Sequence, residues 1–119
     1  MSGAVLVVDD DPVFRDLARR IITACGLLVV GEASTVAAAI DAADRLKPEA
    51  ALVDVGLPDG DGIALAERLT ALPWQPRVLL TSSDPDAATP EDVLRAGARG
   101  FVAKDELPNA PLVALLGRA

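Results

Sequence analysis

Hydrophobic residues in this chain fall in short unbroken runs, separated by stretches with helical periodicity. Five runs, made mainly of Val, Leu and Ala, predict strands over residues 5–8, 27–30, 51–55, 78–80 and 100–103. The runs are continuous and do not alternate with polar residues, which is typical of a parallel sheet covered on both faces. Strands that alternate with helices predict right-handed βαβ crossovers and a doubly wound α/β sheet.

Capping residues and prolines mark five helices along the chain. Asp11 is predicted to cap a first helix that has Pro12 at its first position and ends at Gly26. The other four helices are predicted to begin at Ser34 or Thr35, to cover about residues 63–72, to run from the cap Thr89 to Gly97, and to cover about residues 110–116.

The composition limits which partners and compartments fit the chain. Its 119 residues suit one domain with a single core, so residues 1–119 are predicted to form one domain. A net charge of −7 argues against direct binding to nucleic acid. The apolar runs are far shorter than the ~20 residues that span a bilayer, and no signal peptide is evident. We therefore expect a cytoplasmic protein that does not enter the membrane.

The chain contains no histidine, which removes several kinds of catalytic site. Ser-His-Asp and Cys-His pairs, His-ligated zinc and an internal phosphohistidine are all excluded. The single cysteine, Cys25, cannot form an internal disulfide and is predicted to be a core thiol on the apolar face of the first helix. Any chemistry must use carboxylates, hydroxyls, Lys, Arg or a hard metal ion.

Polar side chains gather where the predicted strands end. Asp9 and Asp10 follow the first strand, Asp54 lies near the end of the third, Thr81 follows the fourth, and Lys104 follows the fifth. In doubly wound sheets, ligands bind at the carboxyl ends of the strands, where the winding direction reverses. If the strand order is 2-1-3-4-5, the three acids share one pocket, with the threonine and the lysine on its far side.

Three carboxylates in one pocket repel each other, and a hard divalent cation relieves that repulsion. Mg²⁺ prefers oxygen ligands and is usually held by one or two carboxylates together with phosphate oxygens. An aspartate can also act as a nucleophile and form an aspartyl phosphate. A metal and a lysine would neutralise charge on the transferred oxygens. The pocket therefore favours phosphoryl chemistry.

Four segments of the chain resemble the receiver domain of two-component response regulators: VLVVDDDP, ALVDVGLPDGDGI, VLLTSS and GARGFVAKDEL. The resemblance covers essentially the full length. It implies a flavodoxin-like fold with strand order 2-1-3-4-5 and five flanking helices. It also implies a response regulator that takes a phosphoryl group from a partner's phosphohistidine and then switches partner or output interactions. Such a switch is no enzyme beyond its own phosphorylation and dephosphorylation.

The resemblance assigns the acidic residues to specific roles. Asp54 becomes the phosphoacceptor. Mg²⁺, or Mn²⁺, would be held by Asp10, Asp54 and the backbone carbonyl of Gly56, while Asp9 would act through a metal-bound water. Asp11 remains a helix cap.

The resemblance also implies how the signal is passed on. Thr81 and Lys104 would bind phosphoryl oxygens, and Thr81 would act as a switch with Phe101. The phosphoryl donor would be a sensor histidine kinase or a histidine phosphotransfer protein. The face formed by the fourth helix, fifth strand and fifth helix would change its interactions, including a homodimer through that face. The chain is expected to be a single-domain regulator or the receiver of a longer protein.

One position departs from the family pattern, and two others bear on the lifetime of the phosphorylated state. Asp105 stands where the family usually has proline, so we expect a trans peptide after Lys104 and a different path for the following loop. Gly56 and Ser83 are small and offer little shielding to a phosphoryl group, which predicts a short-lived phosphorylated state.

Two alternative hypotheses remain open from the sequence. A phosphatase of the haloacid dehalogenase type would use Asp9 as nucleophile with Thr81 and Lys104. That mechanism needs a further acidic motif well after the lysine, and it leaves Asp54 unexplained. The other alternative is a degenerate receiver that binds partners without being phosphorylated.

Overall fold

Five parallel strands form one sheet in the part of the chain that the structure, a computed structural model, describes, which is residues 3–117. The strands are β1 (Ala4–Val8), β2 (Leu28–Ala33), β3 (Ala50–Asp54), β4 (Arg77–Ser82) and β5 (Gly100–Ala103). They lie in the order β2-β1-β3-β4-β5, and every neighbouring pair is parallel. The predicted doubly wound α/β fold and its strand order are therefore confirmed.

Helices follow each strand, as the alternating pattern predicts. They are α1 (Pro12–Ala24), α2 (Val36–Leu46), α3 (Gly62–Thr70), α4 (Pro90–Ala96) and α5 (Leu112–Leu116). The loop after β3 contains a short antiparallel pairing of Gly56–Leu57 with Gly60–Asp61.

The predicted caps of the first, second and fourth helices are present. The Asp11 side chain accepts a hydrogen bond from the backbone of Val13 at 2.9 Å. Of the two candidate caps for α2, Thr35 is the one that accepts a hydrogen bond from the helix. Thr89 and Asp92 form a reciprocal capping box at the start of α4. These bonds satisfy backbone donors that the first turn of a helix leaves unpaired.

The sheet separates two apolar layers because successive side chains of a strand point to opposite faces. Val5 and Val7 of β1 pack with α1 and α5, whereas Leu6 and Val8 pack with α2, α3 and α4. Both layers consist of side chains that are largely removed from water. The unbroken apolar strands of the sequence are therefore explained by burial on both faces.

Two strands extend further than the apolar runs predict. β2 continues to Ala33, and it pairs with β1 along that extension. β4 continues through Thr81 and Ser82, which pair with Val102 and Ala103 of β5. Thr81 therefore lies inside a strand and not after it. Hydrophobicity marks only the buried apolar part of a strand, so polar residues in the ladder escape the pattern.

The prediction of a last helix over about residues 110–116 is only partly correct. A 3-10 helix occupies Lys104–Asn109, and α5 begins at Leu112 after Pro111. All peptide bonds in residues 3–117 are trans, so the expected trans bond between Lys104 and Asp105 is confirmed. The loop after the lysine therefore continues directly as a 3-10 turn.

The prediction that Cys25 is a core thiol is wrong, because its side chain is exposed. α1 buries a narrow stripe formed by Phe14, Ala18 and Ile22, which recur every four residues. Cys25 is the residue that terminates the helix, beyond that stripe, and Leu17 is also largely exposed.

None of the helices within residues 3–117 has the length and apolar character needed to cross a lipid bilayer.

Candidate functional site

Carboxylates from two neighbouring strands meet at the carboxyl edge of the sheet. Oxygen atoms of Asp9, Asp10 and Asp54 all lie within 4.8 Å of one another. Asp9 and Asp10 directly follow β1, and Asp54 ends β3, its neighbour in the sheet. Lys104, directly after β5, reaches into the same cluster. The structure thus brings together the three acids and the lysine that the sequence singles out.

Asp54 is almost completely buried at the end of β3. One carboxylate oxygen accepts a hydrogen bond from the backbone of Gly56 at 3.3 Å, and the other lies 3.4 Å from the Lys104 ammonium. Burial and the nearby charge of Asp9 raise the pKa of Asp54 above its ordinary value, although Lys104 and the Gly56 amide act in the opposite direction. The ionised form of Asp54 is therefore disfavoured by burial and by Asp9, and a nearby cation would stabilise it.

The backbone of Asp54 is packed closely against the start of α3. A Cβ atom placed on Gly62 would lie 2.0 Å from the Asp54 carbonyl oxygen. Gly62 also donates a backbone hydrogen bond to the carbonyl of Val55 at 2.7 Å. Only glycine fits this approach, so Gly62 helps to set the position of the Asp54 backbone.

Asp9 is fully buried, and both its carboxylate and its backbone have polar partners. One carboxylate oxygen accepts a hydrogen bond from the backbone of Asp11 at 2.8 Å, and the other lies 2.7 Å from the Lys104 ammonium. Its backbone N–H donates to Ala33 at 3.0 Å, and its carbonyl accepts from Arg15 Nη1 at 2.6 Å. Asp10, in contrast, is exposed at the mouth of the cluster.

Lys104 stands between two carboxylates with an aromatic ring beside it. Its ammonium lies 4.5 Å from the centroid of the Phe14 ring. Burial works against the charged form, but the carboxylates of Asp9 and Asp54 outweigh it and hold the pKa of Lys104 above its ordinary value. Lys104 pairs with two of the three carboxylates of the cluster, which therefore retains an excess of negative charge. An oxygen-rich cluster of this charge suits a hard divalent cation.

Thr81 is buried and lies directly opposite Asp54 in the pairing of β3 with β4. Its hydroxyl donates a hydrogen bond to the backbone carbonyl of Val102 at 2.7 Å. In this conformation the hydroxyl hydrogen is therefore used in a hydrogen bond to β5. To bind a group on Asp54, Thr81 must exchange the Val102 carbonyl for that group.

Phe101 is partly buried on the face of the sheet that carries α2, α3 and α4. It lines a groove of about 610 Å³ between α4 and β5, together with Val93 and Leu94 of α4. Leu94 is 82% exposed. The side chain of Phe101 therefore lies at the edge of a surface groove and not in the deep core.

The loop after Asp54 is tied to α2 by a residue that sequence reasoning missed. The Asp59 carboxylate accepts hydrogen bonds from the backbones of Val36 and Ala37, at 2.7 and 3.1 Å. These bonds lower the pKa of Asp59. The loop also carries Gly56, which is exposed. No local motif reveals this cap, because its partners lie more than twenty residues earlier in the chain.

A second missed group consists of two arginines of α1 that bind one glutamate of β2. Arg15 Nε donates to Glu32 at 3.0 Å, and Arg19 donates to the other oxygen of Glu32 at 3.0 and 2.6 Å. The Arg19 guanidinium is the main cause that lowers the pKa of Glu32, and Arg15 adds to it. Arg15 also reaches the Asp9 carbonyl, so this group is connected to the acidic cluster.

Comparison with known proteins gives a consistent result. The family model described as the response regulator receiver domain matches residues 5–115. A Pseudomonas aeruginosa protein named as a transcriptional regulator is 40% identical over 103 residues, which are 86% of this chain and 49% of that protein. The chemotaxis protein CheY of Thermotoga maritima is 29% identical over 115 residues, covering 97% of this chain and 96% of that protein.

Solved structures agree with the sequence relatives. The crystal structure of a LuxR-family two-component response regulator from Aurantimonas sp. SI85-9A1 matches with a TM-score of 0.83 and 28% identity, covering 96% of this chain and 81% of that chain. The chain thus spans about half the length of the Pseudomonas relative and nearly all of the CheY relative. None of these similarities supports the phosphatase hypothesis.

Proposed function

This chain belongs to the response regulator receiver domain family, and we propose that it accepts a phosphoryl group on Asp54 in a Mg²⁺-dependent reaction. The observation that carries the proposal is the cluster itself. Carboxylate oxygens of Asp54, Asp9 and Asp10 all lie within 4.8 Å of one another, and the Lys104 ammonium lies beside the nearly buried Asp54. Phosphoryl transfer to an aspartate requires a carboxylate nucleophile and positive charge that neutralises the transferred oxygens. Asp54 would supply the nucleophile, and Lys104 together with a cation held by the acids would supply the positive charge.

The donor set of the cluster fits Mg²⁺, and Mn²⁺ equally. Asp10, Asp54 and the backbone carbonyl of Gly56 would hold the cation, and Asp9 would contact it through a water. When bound, the cation neutralises charge on the oxygens of the phosphoryl group that is being transferred. Asp10 and Gly56 are both exposed, which leaves the mouth of the cluster open to a donor.

The chain's own residues supply the remaining steps. A carboxylate oxygen of Asp54 forms a bond to phosphorus, the phosphorus–nitrogen bond of the donor breaks, and the electron pair returns to the imidazole. Lys104 then contacts a phosphoryl oxygen, and the Thr81 hydroxyl turns to another oxygen from its present acceptor, Val102. Phe101 would follow the threonine and change the shape of the groove beside α4.

The partners belong to the same proposal. The phosphoryl donor is a sensor histidine kinase or a histidine phosphotransfer protein, acting in the cytoplasm. The face formed by α4, β5 and α5 changes its interactions on phosphorylation, including contact with a second copy of the chain. We further propose that residues 1–119 act as one receiver domain that switches its partners and catalyses no reaction other than its own phosphorylation and dephosphorylation.

The proposal is tested by trapping the phosphoacceptor. The protein is incubated with Mg²⁺ and acetyl phosphate, and the modified residue is located by mass spectrometry. We expect the adduct on Asp54 and its complete loss in Asp54→Asn. Asp16→Asn removes an exposed acid of α1 that pairs with Arg20, and this control should keep full labelling.

An adduct on Asp9 would instead support a phosphatase. Absence of both labelling and Mg²⁺ binding would support a degenerate receiver.

A further inference from the structure

Asp10 is exposed, but the peptide groups on both sides of it are fixed by hydrogen bonds. The peptide before it is held through the Asp9 carbonyl, which accepts from Arg15 Nη1 at 2.6 Å. The peptide after it is held through the Asp11 N–H, which donates to the Asp9 carboxylate at 2.8 Å. The direction of the Asp10 side chain therefore depends on two anchors. One belongs to the acidic cluster, and the other comes from α1.

The arginine anchor is itself held in place. Arg15 is 19% exposed and binds Glu32 through Nε while Nη1 reaches Asp9, so its planar guanidinium spans both partners at once. Arg19 is 44% exposed and binds the same glutamate from the solvent side. The contacts form a chain from Arg19 through Glu32 and Arg15 to the acidic loop.

We infer that Arg15 is a positioning residue for cation binding: its guanidinium fixes the Asp9–Asp10 peptide so that the Asp10 carboxylate faces the other two acids. This inference rests on the proposed function, because it concerns the same cluster. It assigns a role to a residue that touches neither the cation nor the phosphoryl group. Outer contacts that orient a metal ligand typically change metal affinity about 10- to 100-fold when they are lost.

The direction in which cation affinity changes when Arg15 is replaced distinguishes this positioning role from a purely electrostatic one. Arg15 carries a positive charge beside the acidic cluster, so removing that charge alone would strengthen cation binding. Loss of positioning would weaken it. A substitution that removes both therefore gives opposite results under the two explanations.

The experiment measures Mg²⁺ affinity of the whole protein by isothermal titration calorimetry. We expect Arg15→Met to weaken Mg²⁺ binding about tenfold, as for other lost outer contacts of metal sites. Because the defect lies in binding, saturating Mg²⁺ should return the rate of labelling by acetyl phosphate to near the wild-type value. Arg19→Met is the matched control. It removes the same charge and a bond to the same glutamate but no contact to Asp9, and should leave Mg²⁺ affinity nearly unchanged.

Two further variants guard against misfolding of Arg15→Met. Arg15→Lys keeps the charge but lacks the planar fork and should bind Mg²⁺ more weakly than the wild type. Glu32→Gln loosens the support of Arg15 and should have a smaller effect of the same sign. Unchanged or tighter binding in Arg15→Met, or wild-type affinity in Arg15→Lys if the first variant does not fold, would overturn the inference. If the wild type itself neither binds Mg²⁺ nor is labelled, the proposed function fails instead.

Discussion

The Lys104 ammonium lies 2.7 Å from the carboxylate of Asp9 and is therefore closer to it than to Asp54, at 3.4 Å. Asp9 is fully buried, so the lysine serves as the counter-charge of a carboxylate that has no access to water. In the proposed reaction the same lysine binds the phosphoryl group. A bound cation would then have to take over the neutralisation of Asp9, which couples metal binding to the release of the lysine.

Removal of Lys104 should destabilise the protein mainly when Mg²⁺ is absent. Breaking a buried ion pair leaves an uncompensated charge, which costs roughly 3–5 kcal/mol for a fully buried pair. Because Lys104 retains some exposure, we expect Lys104→Met to lower the free energy of unfolding by about 2 kcal/mol. Mg²⁺ should stabilise this variant more than it stabilises the wild type. Urea denaturation with and without Mg²⁺ provides the measurement.

The chain offers a matched control for this prediction, because its only other lysine is Lys47. Lys47 is exposed, lies 4.7 Å from the Trp74 ring and donates to the carbonyl of Asp44. Lys47→Met should cost less than about 1 kcal/mol, as for other exposed charges, and this cost should not depend on Mg²⁺. Equal effects of the two substitutions would show that Lys104 does not balance the charge of Asp9.

Much of the fold follows from the sequence for a simple reason. A parallel sheet needs apolar residues on both faces, so its strands appear as unbroken runs, and helix ends carry capping side chains that act locally. The α1 cap at Asp11 and the start of α4 after Thr89 were predictable on this basis. The exposure of Cys25 was not predictable, because apolar character places a residue on a helix face but does not show how far the buried stripe extends toward the helix end.

The candidate site also has a part that the sequence predicts and a part that it does not. Asp9, Asp10, Asp54 and Lys104 stand at strand ends, and the topology of the fold brings strand ends together. The contacts that orient them, such as Arg15 to Asp9, join residues through geometry that no spacing in the sequence encodes. The present partner of Thr81, the Val102 carbonyl, is likewise set by the pairing of β4 with β5.

Gly62→Ala should be strongly destabilising. The added methyl group would lie 2.0 Å from the Asp54 carbonyl oxygen and 2.7 Å from the Val55 Cα, and backbone atoms cannot move aside as a flexible side chain can. Overpacking typically costs about 1–3 kcal/mol, and a clash with backbone should reach at least the upper end of that range. Gly56→Ala is the control in the same loop, because nothing lies within 4 Å of its added carbon. Thermal unfolding should give a lower melting temperature for Gly62→Ala than for Gly56→Ala. Equal melting temperatures of the two variants would contradict the prediction.

Acid should weaken the contribution of Glu32 to stability. Hydrogen bonds from Arg19 and Arg15 lower its pKa in the folded state below the ordinary value of 4.5. The contribution is therefore complete above about that pH and disappears as the pH falls through the lowered value. We expect Glu32→Gln to be less stable than the wild type at pH 7, by less than about 1 kcal/mol for so exposed a group, and the difference to shrink as the pH falls below the ordinary pKa of 4.5.

Arg19→Met provides the control for this pH dependence. Without its principal partner, the pKa of Glu32 returns toward its ordinary value, so Glu32→Gln should change stability less in this background. Denaturant titrations of the four proteins between pH 3 and pH 7 form a double-mutant cycle. A difference that grows as the pH falls would have the wrong sign and would exclude this account of Glu32.

The phosphorylated state should be short-lived, because little shields the bond between Asp54 and the phosphoryl group from water. Gly56 is exposed with nothing within 4 Å of its missing side chain, and Ser83, two residues after Thr81, is exposed as well. An apolar side chain at either position would exclude water from the reacting phosphorus. We therefore expect Gly56→Leu and Ser83→Leu to slow the loss of phosphoryl severalfold, whereas Gly56→Ala, whose methyl group is too small to cover the site, should resemble the wild type. The measurement follows loss of the adduct in Mg²⁺ buffer after the donor is removed. A wild-type half-life of many hours, or no change in the leucine variants, would contradict the prediction.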